Sequence, residues 1–349
     1  MEMLTNSSMI LGFDLWHSII SWFGSWIPNY GWAIIVFTIA LKLVMSPLDI
    51  YQRIQSKKQQ KFTTAMQPEL QAIQTKYAND KNKLNQETAK VYKKYNFNMG
   101  GMCLSMLLTM GLSMVVFFTL FSSLRSYGST KLYDSYAQLD KTIVANVGEN
   151  VLIEDLTSEQ KNVLTIEIKN EYEQLKKKNS WLWVKNVWKK DTNESQFVEF
   201  DDYVNHIGLN AEDKANEKNL AKARYDFIVE TIDGEKTDAN GYYVLIILSV
   251  AVSFLTQWLS QKLTMPKGQK LNTMNKVMMG VIPATMALLA FSSNVVFTLY
   301  IIVNSIMTAI VTSIISIFMK KKNGGNDEDI VLPKKNVEVV EYSRNNLKK

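Results

Sequence analysis

The sequence is poor in the residues that build most enzyme and metal sites. Its 349 residues include one cysteine, Cys103, and two histidines, His17 and His206. A single cysteine excludes an intramolecular disulfide, and neither histidine lies in a recognisable metal-ligand motif. No glycine-rich phosphate loop is present either. We therefore expect no enzyme activity, no catalytic residues, no cofactor and no metal.

Acidic residues are absent from five long apolar stretches, at 31–48, 100–124, 242–263, 277–291 and 295–319. A membrane crossing needs about 20 apolar residues, so each stretch is a candidate span, although the fourth is short. The mean hydropathy of -0.08 hides these spans because two polar segments dilute them. The sequence predicts an all-α integral membrane protein with five transmembrane helices, a cytoplasmic helical hairpin and an enlarged extracytoplasmic loop.

The distribution of Lys and Arg predicts how the chain is oriented. Basic residues exceed acidic ones in three segments between or after the spans, whereas segment 125–241 has sixteen basic and twenty-two acidic residues. We therefore place 125–241 outside, with the N-terminus outside and the C-terminus in the cytoplasm. The predicted order is an external interfacial helix (1–30), a first span (31–48), a cytoplasmic helical hairpin (49–98), a second span (99–124), an extracytoplasmic segment (125–241), a third span (242–263), a basic cytoplasmic loop (264–276), the fourth and fifth spans (277–319) and a basic cytoplasmic tail (320–349).

The N-terminal region has the pattern of an amphipathic helix lying on the membrane surface. Apolar side chains recur at helical spacing from Leu15 to Ile27, while Asp14, His17 and Ser18 take the other face. Glu2 in place of a positive region argues against a secretion signal. The alternative is that this helix belongs to the core of an external domain.

Two helices joined by Ala78-Asn79-Asp80 are predicted between the first and second spans, at 50–77 and 81–95. Each carries an apolar stripe at 4-3-4 spacing, so the two stripes would face each other in an antiparallel pair. Pro68 predicts a kink or a restart of the first helix. The lysine-rich outer faces are either solvated surface or a docking arm for a ribosome, a targeting factor or an incoming chain. The stripe residues are Met66, Leu70, Ile73 and Tyr77, then Leu84, Thr88, Val91 and Tyr95.

Polar side chains recur on one face of four of the predicted spans. The only charge among them is Lys42, and a lysine at membrane depth costs roughly 2.5 to 3.5 kcal/mol on insertion scales. Polar groups that face lipid would lack partners, so we expect these faces to converge on a hydrated, positively charged groove open to the cytosol. The residues are Thr38, Lys42 and Ser46; Ser105, Thr109 and Ser113; Thr256, Gln257 and Ser260; and Asn304, Thr308 and Thr312.

Other interpretations of these polar residues stay open. Ser and Thr can bond to carbonyls of their own helix and let helices pack closely. Lys42 is six residues from the predicted inner end of its span, roughly 9 Å at the helical rise, so it could snorkel to the lipid headgroups. A small-anion transporter could use Lys42 as its counter-charge, although no internal repeat is found. A receptor whose external segment binds a ligand is a third possibility.

Five stretches resemble the YidC/Oxa/Alb family of membrane protein insertases in their order and spacing: 31–48, 66–77, 181–188, 274–286 and 297–300. The family usually has arginine where this chain has Lys42, so the resemblance implies a groove cation that attracts acidic parts of a substrate. Lysine keeps the charge but loses the bidentate fork of arginine. Family members pass quickly from the tryptophan-rich stretch to the next span, whereas residues 191–240 intervene here.

The resemblance implies a multi-pass protein of the bacterial inner membrane that inserts nascent membrane proteins. Their short hydrophilic regions would cross through the groove while their apolar segments partition into lipid. The expected partners are nascent membrane proteins and membrane lipids, and the ribosome, the signal recognition particle pathway and the Sec translocon are further candidates.

The extracytoplasmic segment has local signals but no assigned function. Helices are predicted around 158–178, opened by Thr157 with Gln160 three residues on, and around 211–232 after Asn210. Trp181, Trp183 and Trp188 are predicted to form an aromatic belt at the outer interface rather than a ligand cage.

Overall fold

The computed structural model describes residues 15–95, 99–194, 197–232, 239–264 and 273–322. Among these residues the regular structure is helical and no β-strand is formed. An isolated β-bridge joins Trp181 to Val184. Short 3-10 turns occur at Ile153–Asp155 and Glu212–Lys214. The helices are α1 (15–26), α2 (Tyr30–Lys76), α3 (Lys81–Lys94), α4 (Met99–Val147), α5 (Ser158–Asn179), α6 (Phe200–Ile207), α7 (Ala215–Thr231), α8 (Val244–Thr264), α9 (Thr273–Ser292) and α10 (Val295–Lys322).

Within the described ranges, four helical stretches are long and apolar enough to cross a membrane, namely Tyr30–Lys76, Met110–Val147, Val244–Leu263 and Val295–Phe318. This confirms the all-α class with several apolar helices. The predicted fourth span corresponds to a shorter apolar stretch of α9, Lys276–Ser292. The count of five spans therefore stays a prediction, and most of the basic loop 264–276 and of the tail 320–349 lies outside the described residues.

The first predicted span and the first hairpin helix form one continuous helix. The 47 residues of α2 run through both Pro47 and Pro68, so the helix does not restart at Pro68. A proline inside a helix removes one backbone donor and crowds the preceding turn. The helix nevertheless continues across both prolines. Neighbouring groups can satisfy the carbonyls that receive no hydrogen bond from a proline.

The second predicted span also continues beyond its expected end at residue 124. Helix α4 extends to Val147, into the segment assigned to the outside. It ends because Gly148 adopts a φ of 92° and donates its N–H to the Val144 carbonyl at 2.8 Å. A left-handed glycine is a common way to end a helix, and Gly148 is the sequence signal for this boundary.

Contacts divide the chain into two units. Unit 1 comprises residues 1–44, 114–258 and 271–309, and unit 2 comprises 45–113, 259–270 and 310–349. Unit 1 has a continuous apolar core to which the apolar helices and residues 125–241, here called the loop domain, both contribute. Its most deeply buried members include Leu120, Leu124, Ile143, Leu164, Ile168, Ile228 and Phe297.

Helix α1 packs into unit 1 along one face. The Trp16 ring meets Phe37 of α2 edge-on, and its Nε1 donates to the Thr119 hydroxyl of α4 at 3.1 Å. Ile20 is buried, whereas Trp22 and Trp26 are exposed on the opposite side. The amphipathic pattern therefore produces a helix that joins the core of unit 1 and still exposes large aromatic side chains.

The loop domain is built on the end of α4 together with α5, α6 and α7. The Thr157 hydroxyl accepts from the Gln160 N–H at 3.3 Å and the Gln160 side chain accepts from the Thr157 N–H at 2.9 Å, which is a complete capping box at the start of α5. The helix predicted around 158–178 thus corresponds to α5, and the one around 211–232 to a 3-10 turn followed by α7. Sequence reasoning missed α6.

Residues 181–191, here called the junction segment, are a part of the loop domain that contacts the apolar helices of unit 1. Trp188 lies in the core with its ring edge-on to Tyr30, and its Nε1 donates to Asn179 at 3.0 Å. The N–H groups of Val295 and Val296, which open α10, donate to carbonyls of this segment. Trp188 is therefore a core residue, and its assignment to an aromatic belt was wrong.

The start of α8 is capped by Asp191, a buried carboxylate at the end of the junction segment. Its two oxygens accept from the Tyr242 N–H at 2.9 Å and from the Leu245 N–H at 2.6 Å. Replacing Asp191 with alanine leaves both donors unpaired, so we expect a loss of about 2 kcal/mol in the stability of this helix start. Amide hydrogen exchange at Tyr242 and Leu245 should accelerate more than ten-fold, and equal exchange in the Asp191→Ala variant would contradict this assignment.

Candidate functional site

The polar residues of α2 that belong to unit 1 are Thr38 and Lys42. Thr38 is buried, and its hydroxyl donates to the Ile34 carbonyl of the same helix at 2.6 Å. Lys42 lies one turn further along the helix and is half-buried. Thr38 therefore uses its polar group within its own helix, whereas Lys42 presents a partly covered cation on the same face.

Helices α8 and α10 meet in unit 1 through small polar side chains. The Ser253 hydroxyl lies 3.4 Å from that of Ser305, and the Thr256 hydroxyl donates to the Ser305 carbonyl at 3.1 Å. The predicted groove residues Gln257, Asn304 and Thr308 are half-buried on these two helices. The polar stripes of α8 and α10 are thus brought together, and part of their capacity holds the two helices in contact.

In unit 2, two polar side chains of α2 reach neighbouring helices. Gln52 Nε2 donates to the Ser113 hydroxyl of α4 at 3.0 Å, and Arg53 Nη1 donates to the Ser260 hydroxyl of α8 at 3.0 Å. The Asp49 carboxylate, one turn before Arg53, acts on the guanidinium electrostatically. The hydroxyls of Ser113 and Ser260 therefore face α2, and an acid–base pair lies on α2 beside them.

Four further predicted groove residues of unit 2 differ in how far the structure describes them. Ser46 is half-buried on α2. The side chains of Ser105 and Thr109 lie outside the described residues, so their place in the groove stays a prediction. Thr312 of α10 is buried.

Sequence reasoning missed Gln52 and Arg53 because it ended the polar stripe of α2 at residue 48. Lys42, Ser46, Asp49 and Arg53 are spaced four, three and four residues apart, which places them along one face of a continuous helix. The signal was present in the sequence. It was lost because the predicted first span ended at residue 48.

The end of α2 and α3 form a helical pair in unit 2. Met66 and Val91 are buried, and Leu70, Ile73, Tyr77, Leu84, Thr88 and Tyr95 are half-buried. Lys94 forms an ion pair with Glu69 at 2.9 Å, and the Tyr95 hydroxyl donates to the same carboxylate at 2.9 Å. Burial has the larger effect and this hydrogen bond the next largest, and both raise the pKa of Tyr95 above its ordinary value. Its hydroxyl is therefore protonated at neutral pH. Asp80 caps α3 by accepting from the Lys83 N–H at 3.0 Å.

No cluster of three or more His, Cys, Asp or Glu side chains suited to a metal ion occurs in the parts of the chain that the structure describes. The charged groups described above are Lys42, Asp49 and Arg53, and the other polar groups are neutral hydroxyls and amides on apolar helices. Such groups can bind and desolvate charged or polar segments of another molecule. These features define a class, that of polytopic helical membrane proteins with polar side chains between their helices.

Comparison with known proteins identifies the family within this class. The family described as 60Kd inner membrane protein matches residues 22–322, which is most of the chain. The protein therefore belongs to this family, the YidC/Oxa/Alb family, as the five ordered stretches predicted. Membership and the apolar helices together fit a multi-pass protein of a bacterial inner membrane.

Several curated relatives carry the name membrane protein insertase YidC. A protein of Leptospira interrogans serovar Lai is 42% identical over 96 residues, which is 28% of this chain and 14% of that protein. One of Clostridium tetani is 41% identical over 107 residues, or 30% of this chain and 46% of that protein. One of Caldanaerobacter subterraneus is 37% identical over 102 residues, or 29% and 46%. The matches thus span less than half the length of each relative.

Proposed function

We propose that this protein is a membrane protein insertase that uses a polar, positively charged groove between its apolar helices. The observation that carries the proposal is the half-buried Lys42 on α2, in a chain of a family whose relatives are named insertases. A cation at membrane depth costs free energy, and such residues usually have a function. The function that we assign to Lys42 is to attract acidic residues of a nascent chain out of water.

The polar stripes supply the rest of the proposed groove. We assign to this groove the predicted polar residues Thr38, Ser46, Ser105, Thr109, Ser113, Gln257, Asn304 and Thr308. Hydroxyl pairs such as Ser253 with Ser305 exchange partners at little cost because each hydroxyl both donates and accepts. A hydrophilic segment could therefore replace these contacts with its own while it passes.

Arg53 extends the proposed path toward the cytoplasm. It follows Lys42 by eleven residues on α2, about three turns and so the same helical face. Asp49 balances its charge until a substrate carboxylate arrives. We assign to Arg53 the first encounter with an acidic segment and to Lys42 the second, deeper one.

The driving force in this scheme does not depend on a nucleotide. Burial of an apolar substrate segment in lipid supplies most of it, at about 25 cal/mol per Å² of apolar surface. The membrane potential adds roughly 2.3 kcal/mol per 100 mV for each acidic charge that moves outward. The scheme places the N-terminus outside and the C-terminus in the cytoplasm, so that the groove opens toward the site of synthesis.

The pair formed by α2 and α3 is the proposed receiving arm for the substrate. Its exposed lysines, together with the basic residues of segments 264–276 and 320–349, fit the anionic partners that synthesis brings to the membrane, namely ribosomal RNA and acidic lipids. The ribosome, the signal recognition particle pathway and the Sec translocon remain candidate partners of this surface.

The proposal is tested by insertion into liposomes that contain only this protein. The substrate is a single-span protein with a short acidic N-terminal tail, and the readout is protection of the tail from external protease. We expect protection well above that in empty liposomes, and less with a tail whose acidic residues are replaced by neutral ones. No protection above empty liposomes, combined with uptake of a labelled small anion, would replace the insertase with the transporter alternative.

A further inference from the structure

The junction segment contains a two-residue hairpin with a strained tip. The N–H of Trp181 donates to the Val184 carbonyl and the N–H of Val184 to the Trp181 carbonyl, both at 2.9 Å, so that Leu182 and Trp183 form the tip. Leu182 has a φ of 51°, in the left-handed region that bulky side chains avoid. Across the described ranges, Tyr243 is the one other non-glycine residue with a positive φ.

This tip is fixed to the first turn of α2. The Trp181 ring lies so close to Gly31 that a Cβ there would fall 2.3 Å from Trp181 Cδ1, and the ring meets Trp32 edge-on at 5.9 Å. Asn29 Nδ2 donates to the Ser180 carbonyl at 2.6 Å. These contacts fix the position of the hairpin at the N-terminal end of α2, an apolar helix long enough to span a membrane.

Large apolar side chains are exposed at the tip and beside it. Leu182 is 66% exposed, and Trp32, whose ring meets that of Trp181, is 54% exposed. The exposed surface continues down α2 without a break, because Val36, Ile39 and Leu43 are also exposed on the face of Trp32. A strained backbone that exposes a leucine to water gains no free energy that would offset the strain. Transfer of that leucine into an apolar phase releases enough free energy to offset strain of this size.

We propose that the Leu182 hairpin is a lipid-insertion wedge that holds the loop domain against the bilayer surface. The occupant of this surface is the interfacial and upper acyl region of phospholipid, because the tip continues the exposed apolar face of a candidate span. Trp32 beside the tip suits the same depth, since tryptophan rings are favoured at membrane interfaces. The wedge is a property of the junction segment and does not depend on the insertase proposal.

Site-directed fluorescence tests the wedge in full-length protein. A Cys103→Ser background, which removes the single native cysteine, would carry either Leu182→Cys or the control Leu152→Cys, labelled with an environment-sensitive fluorophore. Leu152 is a matched position because it is 46% exposed and follows α4 in the loop domain. In phospholipid vesicles, lipid nitroxides should quench the label at 182 several-fold more than that at 152, and aqueous iodide should show the opposite order.

Either of two outcomes would overturn the wedge. Iodide quenching at 182 as strong as at 152 would place the tip in water, and protection from both quenchers would show that protein covers it. A second measurement needs no substitution: the unmodified protein in vesicles with a photoactivatable phospholipid should give lipid adducts on the peptide containing Leu182. Adducts at no higher yield than on the peptide containing Leu152 would also contradict the proposal.

Discussion

Lys42→Ala is expected to slow insertion of a substrate with an acidic tail about ten-fold, which corresponds to about 1.4 kcal/mol in the barrier. The physical reason is the loss of one attraction between opposite charges, worth about 4 kcal/mol at 4 Å near a protein surface before desolvation is subtracted. Lys42→Arg should stay close to the wild type, because the charge is kept and a bidentate contact becomes available. The measurement is the initial rate of protease protection in liposomes without a membrane potential.

Charge reversal separates attraction from folding. Lys42→Glu should nearly abolish insertion of the acidic-tailed substrate and recover insertion of the same substrate with a basic tail. Lys141→Ala is the control, because Lys141 is an exposed lysine of the loop domain, to which the proposal gives no contact with the substrate. Equal loss for both tails would show damage to the fold instead of loss of an attraction.

An unchanged rate in Lys42→Ala would leave the insertase intact and assign Lys42 to the headgroup region. Arg53 would then be the remaining candidate for the substrate cation. An Arg53→Gln variant, which keeps a donor for the Ser260 hydroxyl, would test that assignment with the same two substrates. The two results together locate the charge that selects acidic tails.

The parts of the fold that follow from local signals could be predicted from the sequence. The capping box of Thr157 and Gln160 predicted the start of α5, because both hydrogen bonds form within a single turn. Asp80 and its neighbours marked the turn between α2 and α3 for the same reason. Long apolar stretches predicted the membrane helices, since length and composition alone decide that property.

Features that depend on tertiary contacts could not be predicted in this way. Pro68 predicted a kink or a restart, and the predicted first span ended at residue 48, but one helix continues through both points. Trp188 fits an aromatic belt by composition, yet the structure places it in the core against Tyr30 and Asn179. The capping of α8 by Asp191 joins residues more than fifty positions apart, so no local pattern announces it.

The polar stripes of the candidate site could be identified from the sequence, and their role as the lining of a groove stays a prediction. The stripe of Thr38, Lys42 and Ser46 rests on helical periodicity, which holds wherever the helix continues. Gln52 and Arg53 follow from the same periodicity once the helix is known to extend past Pro47. How the stripes of different helices share their hydrogen bonds, as Thr256 does with Ser305, depends on packing that periodicity does not specify.

A buried ion pair in the loop domain leads to the second large expected effect. Arg224 of α7 donates from Nε to Asp140 Oδ1 of α4 at 2.6 Å and from Nη2 to Oδ2 at 3.4 Å. Its Nη1 also donates to the Glu149 carbonyl at 3.1 Å. The guanidinium is buried, so water cannot take its place as the hydrogen-bond donor to Asp140 when an apolar side chain is substituted for the arginine.

Arg224→Met is therefore expected to destabilise the loop domain by about 3 kcal/mol, because the Asp140 side chain is only 16% exposed and its carboxylate loses its cation. The double variant Arg224→Met/Asp140→Leu should recover most of this loss, since an apolar pair of similar volume is often as stable as a buried ion pair. Amide hydrogen exchange of α7 in detergent micelles measures both effects. If the double variant exchanged as fast as the single one, lost packing of the arginine stem would explain the effect, and the buried carboxylate would not.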